Sequence, residues 1–196
     1  MMKFNGKVMK FGNYWGTSGS VTPPEPPGPV KEEVTIGSYT WTAKNITIDD
    51  GEGGIYTHTV HYGRGDVVEY YYTWNAAKRI AGKVDGWHLP THEEIWYLKA
   101  AGESTAAAAL RSTYGWGYDE GTNTTGFTMF PAGYILPSDG TLNQLGNFAF
   151  IWVDRYQSSI DSAERLYIGR TNNGMNTGWK EPNLYAYSLR LVKDAT

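Results

Sequence analysis

A chain of 196 residues is long enough to bury one core of ordinary size. A net charge of -3 with no clustered Lys or Arg excludes the dense basic face that phosphate backbones require, so no nucleic-acid partner is expected. The absence of cysteine excludes disulfides, thiolate metal sites and thiol nucleophiles, and no apolar run approaches the roughly twenty residues that span a bilayer, so no membrane insertion is expected.

In chain order, residues 1–21 carry scattered aromatic residues (Phe4, Phe11, Tyr14, Trp15) on a peptide too short to fold alone. Nothing in this stretch has the continuous apolar core of a secretory signal. Residues 22–30 follow, with Pro23, Pro24, Pro26, Pro27 and Pro29, a composition that makes a stiff extended spacer. A short aromatic peptide and a rod ahead of a domain at 31–196 are the layout of a docking tag.

From Val30 the pattern turns to short strands. Val34 to Ile36, Tyr39 to Thr42 and Lys44 to Ile48 alternate apolar and polar residues, and Val67 to Tyr72 is a further strand-like run. Thr73 is placed to cap a helix from Trp74 to Ala81 that stops at Gly82. Thr91 and Glu94 form a capping box after Pro90 and open a second helix, expected to bury Ile95, Trp96 and Leu98 and to end at Gly102. Ala106 to Leu110 predicts one more helical turn. Beyond Ser112 the strand-like pieces are Gly126 to Phe130, Phe148 to Val153, Leu166 to Ile168 and Tyr187 to Val192. The fold class is α+β, two helices on small antiparallel sheets with long loops.

Several elements in this order resemble one family. They are Tyr72-Thr73-Trp74, Gly86-Trp87-His88-Leu89-Pro90-Thr91, Leu110 to Trp116, Gly121 to Phe127, Pro131-Ala132-Gly133-Tyr134, Ile151-Trp152 and Tyr187 to Val192. Together they resemble the Fibrobacter succinogenes major paralogous domain, over about residues 35 to 194. The resemblance implies a C-type-lectin-like fold of the formylglycine-generating-enzyme kind. That fold also serves variable proteins of diversity-generating retroelements, phage tail adhesins among them. It further implies a ligand-binding face between Trp152 and Tyr185. The strand Trp152-Val153-Asp154-Arg155-Tyr156 is bulkier than the family's usual run of small polar residues after Trp, and the appended front segments lie outside the family pattern.

Independently of any resemblance, residues 153–185 have the Tyr-, Trp-, Arg- and Asn-rich composition of a paratope, in which rigid rings supply area and amides supply adaptable hydrogen bonds. The ligand-binding candidates are Asp154, Arg155, Tyr156, Tyr167, Arg170, Asn172, Asn173, Asn176, Trp179, Asn183 and Tyr185. A Gly/Asn-rich turn region would read the same way.

Other motifs are read as structural. His88 and His92 have a metal-like spacing, but Pro90 lies between them, so His88 sits before the helix and the two need not share a face. The family resemblance implies a structural turn for His88, with a satisfied polar core as its role. His58 and His61, three apart on a strand, point to opposite faces. Glu181-Pro182-Asn183 matches a sugar-binding tripeptide of C-type lectins but follows rather than precedes the nearest Trp-x-Asp strand, and reads as a turn. Asp49, Asp50 and Glu52 read as a solvated loop. No metal, no cofactor and no catalysis is expected, since formylglycine chemistry uses cysteines and no Gly-x-Ser-x-Gly elbow is present.

The expected function is a receptor-binding adhesin of a phage tail fibre, made in the bacterial cytoplasm and carried on the virion. Its partners would be a host cell-surface protein or glycan and, through residues 1–21, a tail component, with a homotrimer supplying avidity. The alternatives are a structural module at a bacterial cell surface, or an inactive formylglycine-type domain turned to carbohydrate binding.

Overall fold

The structure, a computed structural model, describes residues 32–101, 106–117, 120–171 and 174–195. The expected docking peptide, the Pro-rich spacer, Gly102 and the candidates Asn172 and Asn173 lie outside the described residues. Among the described residues there are ten strands and three α-helices, so the α+β reading holds.

β1 (Glu33–Ile36) and β2 (Tyr39–Thr42) form an antiparallel hairpin, and β10 (Val192–Asp194), from the far end of the chain, pairs with β2. β3 (Ile55–His61) and β4 (Asp66–Tyr72) make a second hairpin, and β5 (Tyr134–Leu136) with β6 (Thr141–Asn143) a third. The largest sheet is β7 (Phe148–Gln157), β8 (Ser162–Gly169) and β9 (Met175–Lys180), antiparallel throughout, with β8 in the middle.

The helices follow their local chemistry. α1 runs Trp74–Ala81, the Thr73 hydroxyl accepts from the Ala76 amide at 3.4 Å, and Gly82 closes it by donating to the Lys78 carbonyl at 3.0 Å. α2 runs His92–Ala101. Its capping box is complete: the Glu94 amide donates to Thr91 Oγ1 at 3.3 Å, and the Thr91 amide donates to Glu94 Oε2 at 2.7 Å. α3 is Ala106–Leu110.

Strand alternation then divides the interior. From β7, Ala149, Ile151 and Val153 enter one cluster, where they meet Trp41, Ile95, Leu98, Trp116 and Phe127, while Leu166 and Ile168 of β8 join them. Phe150 and Trp152 enter a second cluster, against Tyr72, Ile80, Leu89, Tyr187 and Leu189. The period-2 geometry of a strand sends successive residues to opposite faces, so one sheet feeds two cores.

Several expectations change. Lys44 to Ile48 is not a strand; its Ile46 amide bonds the Leu189 carbonyl at 2.9 Å, but no ladder forms. Gly126 to Phe130 contributes only a single bridge, Met129 to Arg111. Of Tyr187 to Val192 only Val192 belongs to a strand. The remainder is a buried thread, bonded on one side to Tyr72 and on others to Ile46 and Thr42. Such a segment satisfies its backbone from several neighbours rather than one partner strand. Trp96 is 61 % exposed, whereas Ile95 and Leu98 are buried. The buried pair is three apart and shares a face; Trp96 is turned about 100° from Ile95 around the helix.

Candidate functional site

β8 decides the arrangement. Arg165 and Tyr167 point to one face of the sheet, with Phe148 and Phe150 of β7 beside them: Phe150 pairs with Tyr167, and Phe148 with Gly169. Tyr134 at the start of β5 closes one wall, Lys180 at the end of β9 another, and Tyr185 after β9 a third. With Gln144 these residues line an open bowl of about 280 Å³. Tyr134 lies 5.5 Å from both Phe150 and Tyr185, ring centre to ring centre, and Phe150 lies 6.1 Å from Tyr167. These are the separations of favourable edge and offset ring contacts. Tyr134 is held there by Gly133, whose φ of +67° and close approach to the Asn143 carbonyl exclude any side chain.

Arg165 lies among the rings, its guanidinium carbon 5.1 Å from the centres of both Phe150 and Tyr167 and 5.6 Å from that of Tyr187. NH1 donates to Tyr187 Oη at 2.7 Å, and the buried Nε has no acceptor. Burial raises the Tyr187 hydroxyl well above its usual value, so the phenol stays protonated beside the cation. Lys180 Nζ lies 4.9 Å from the Tyr185 ring.

The nine described sequence candidates fall into separate groups, Asn172 and Asn173 lying outside the described residues. Tyr167 and Tyr185 line the bowl. Arg155 and Trp179 lie on the opposite face of the sheet: the Arg155 guanidinium is 5.2 Å from the Trp179 ring centre and 3.6 Å from the carboxylate of Glu164. Glu164 is buried and also takes the His92 Nδ1 at 2.9 Å, an ion cluster that ties α2 to β8. Tyr156 stacks on Trp74 at 5.4 Å, and Asp154 takes Lys78 Nζ at 2.8 Å, so both are bound to α1. Asn183 accepts from Asn75 at 3.2 Å. The Arg170 amide donates to the Asn147 carbonyl at 2.9 Å, below the sheet end. Asn176 pairs with Tyr167 and lines a groove of about 300 Å³ between α2 and β9 with His92, Trp96 and Lys99.

Tyr134, Gln144, Phe148, Phe150, Arg165 and Lys180 were not among the ligand-binding candidates of the sequence. The Phe148-Ala149-Phe150 alternation points to a shared aromatic face; no local signal brings Tyr134 to it.

The rejected motifs also have positions. His88 Nε2 bonds Glu94 at 2.7 Å and its backbone forms an isolated bridge to Val192, so it is structural, but it is an exposed bridge residue following the turn rather than part of the turn or of the core. Glu181-Pro182-Asn183 is a turn whose Pro182 carbonyl accepts from the Trp74 amide at 3.0 Å. Asp50 is not in a solvated loop. Its carboxylate takes Arg79 Nε at 2.8 Å and Lys83 Nζ at 2.7 Å, and those hydrogen bonds hold its pKa well below the usual carboxylate range. Among the described residues no group of three or more His, Asp or Glu side chains is placed to hold a metal ion, and no helix is long and apolar enough to cross a membrane.

The profile of the Fibrobacter succinogenes major domain matches residues 34–193, from β1 to β10. The chain belongs to that family. Every residue of the bowl lies inside the family domain, and so do Arg155, Trp179 and Glu164 on the other face of the sheet. No curated protein sequence and no solved structure shows a significant match.

Proposed function

We propose that this chain is a non-catalytic adhesin, the receptor-binding part of a phage tail fibre, which takes a host cell-surface ligand in the bowl of Tyr134, Phe148, Phe150, Tyr167 and Tyr185. The observation that carries the reading is the bowl itself. Rings from β5, β7, β8 and the segment after β9 converge on one open concavity with a few polar groups among them, as ligand sites do. A lone exposed ring is ordinary on a protein surface; a cluster of half-buried rings open to solvent is not.

The fold on this reading is C-type-lectin-like. Supporting it are the pairing of β10 with β2 at the base and the separate β7–β8–β9 sheet that carries the bowl. Residues 1–21 dock to a tail component, residues 22–30 hold the domain clear of it, and trimerisation multiplies a modest affinity. Kinship to retroelement-diversified variable proteins belongs to the same reading.

The test is adhesion of the purified protein to a broad panel of intact bacterial strains. Tyr167→Ala with Tyr185→Ala should abolish adhesion while the melting temperature stays near that of the parent. Arg155→Ala with Trp179→Ala, on the far face of the same sheet, should leave it intact. Adhesion by none of the strains, or equal adhesion by the parent and the bowl variant, would defeat the proposal.

A further inference from the structure

Resting on the adhesin reading, we infer that the ligand of the bowl is an acidic saccharide, whose carboxylate meets Arg165 and Lys180 and whose ring lies against the tyrosines. The first ground is charge. Lys44, Lys78, Arg79, Lys83, Arg155 and Lys193 each reach a carboxylate within 4.0 Å. Arg165 and Lys180 reach none among the described residues, and no acidic side chain lines the bowl. Arg64 and Lys99 also lack a carboxylate, but each is a single exposed cation over one ring. The bowl gathers two cations in a concave site with no protein anion to neutralise them, and low-dielectric walls strengthen the field they project.

The second ground is the state of Arg165. A guanidinium has five N–H donors. Here one NH1 hydrogen serves Tyr187, Nε is buried without an acceptor and out of a ligand's reach, and NH2 donates to no described atom, which leaves the NH1–NH2 edge for a ligand. The three rings fix the plane of the group without satisfying it. A planar fork held in one orientation with donors unused is prepared for a planar carboxylate, which it can bind through two parallel hydrogen bonds.

The third ground is the remaining lining. Tyr134, Tyr167 and Tyr185 are half-exposed and Gln144 is exposed, and together they combine apolar faces with hydroxyl and amide groups. A saccharide ring has the matching pair of features, a C–H face and a rim of hydroxyls. A purely apolar ligand would leave the cations unpaired, and a neutral sugar would leave the Arg165 donors unused.

The experiment is an immobilised array of galacturonate, glucuronate and sialate oligosaccharides, each beside its neutral methyl ester, with sulfated oligosaccharides as a separate arm. The parent protein should bind at least one carboxylated member about tenfold or more tighter than its ester, the scale of a charge-assisted pair. Raising the salt concentration should weaken that binding. Lys180→Glu, on a half-exposed side chain, should abolish it without changing the melting temperature, and Arg165→Gln should do the same if it remains folded. Equal binding of acid and ester, no binding of any acidic member, binding of sulfated members alone, or unchanged binding by Lys180→Glu would each overturn the inference. Cell adhesion that the bowl variant loses, yet no acidic saccharide competes for, would sink the sugar assignment and leave the adhesin reading standing. Saccharide binding without adhesion to any strain would do the reverse.

Discussion

Of the guanidinium groups that lie against aromatic rings in this domain, Arg190 and Arg165 have opposite surroundings. Arg190 is fully buried; its Nε donates to Asn45 Oδ1 at 2.8 Å, NH1 to the carbonyls of Thr42 at 2.8 Å and Phe127 at 2.7 Å, and NH2 to that of Thr128 at 2.9 Å. The Phe127 ring lies 4.6 Å from its guanidinium carbon. Arg190 thus holds the last segment of the chain to the loop after α3 and to the end of β2. Burial pulls its pKa down to about 9, still above neutrality, so the cation persists at pH 7. Arg165 has three rings and one phenol, and most of its donors are unspent. A cation whose donors are filled by backbone is part of the fold; one held rigid with donors open is available to a ligand.

The comparison can be broken at either end. The largest effect should come from Arg190→Met, which strands three carbonyl oxygens and an amide oxygen in the interior. At about 1–3 kcal/mol for each unsatisfied group, the loss rivals the whole stability of a small domain, and urea denaturation or soluble yield should report a largely unfolded chain. Native-like unfolding by Arg190→Met would show that the two arginines are not different in kind.

A smaller effect sharpens the contrast between the two faces of the sheet. Glu164→Gln removes the charge that Arg155 and His92 share, and should cost about 1–2 kcal/mol in chemical denaturation because both partners keep access to water. Ligand binding in the bowl should be unaffected, since Glu164 points away from it. Loss of binding without loss of fold would mean that the two faces act together.

The smallest effect concerns pH. Asp50 has a depressed folded-state pKa, so the stability it contributes is present above the unfolded carboxylate value of about 4 and is lost as the pH falls below it. The melting temperature of the parent should decline through that acid range. Asp50→Asn should flatten the decline while changing little in binding at any pH. An unchanged acid limb would remove the Arg79 and Lys83 cluster from the account.

What could be read in the sequence follows the range of each interaction. Both ends of α1 and the first turn of α2 rest on residues at most four positions apart, Thr73 with Ala76, Gly82 with Lys78 and Thr91 with Glu94, so their chemistry is visible locally. β9 was not. Met175-Asn176-Thr177-Gly178-Trp179-Lys180 has the Asn and Gly of a loop, yet it forms a strand because the edge of β8 is open to it, and sheet context outweighs weak propensity. The reverse occurred at Lys44 to Ile48, where good alternation met no partner strand.

The sequence by itself determined the α+β class, the caps of the first two helices, the family and the unusual wealth of Tyr, Trp and Asn before the last strand. Only the tertiary structure decided which of those residues share a surface. On a strand that question depends on register, because neighbours along the chain point to opposite faces and a partner strand from elsewhere sets what lies beside each. The pairing of Phe150 with Tyr167 and of Trp179 with Glu164 therefore puts Tyr167 in the bowl and Trp179 behind it. Their separation of twelve residues in the sequence carries no trace of that difference.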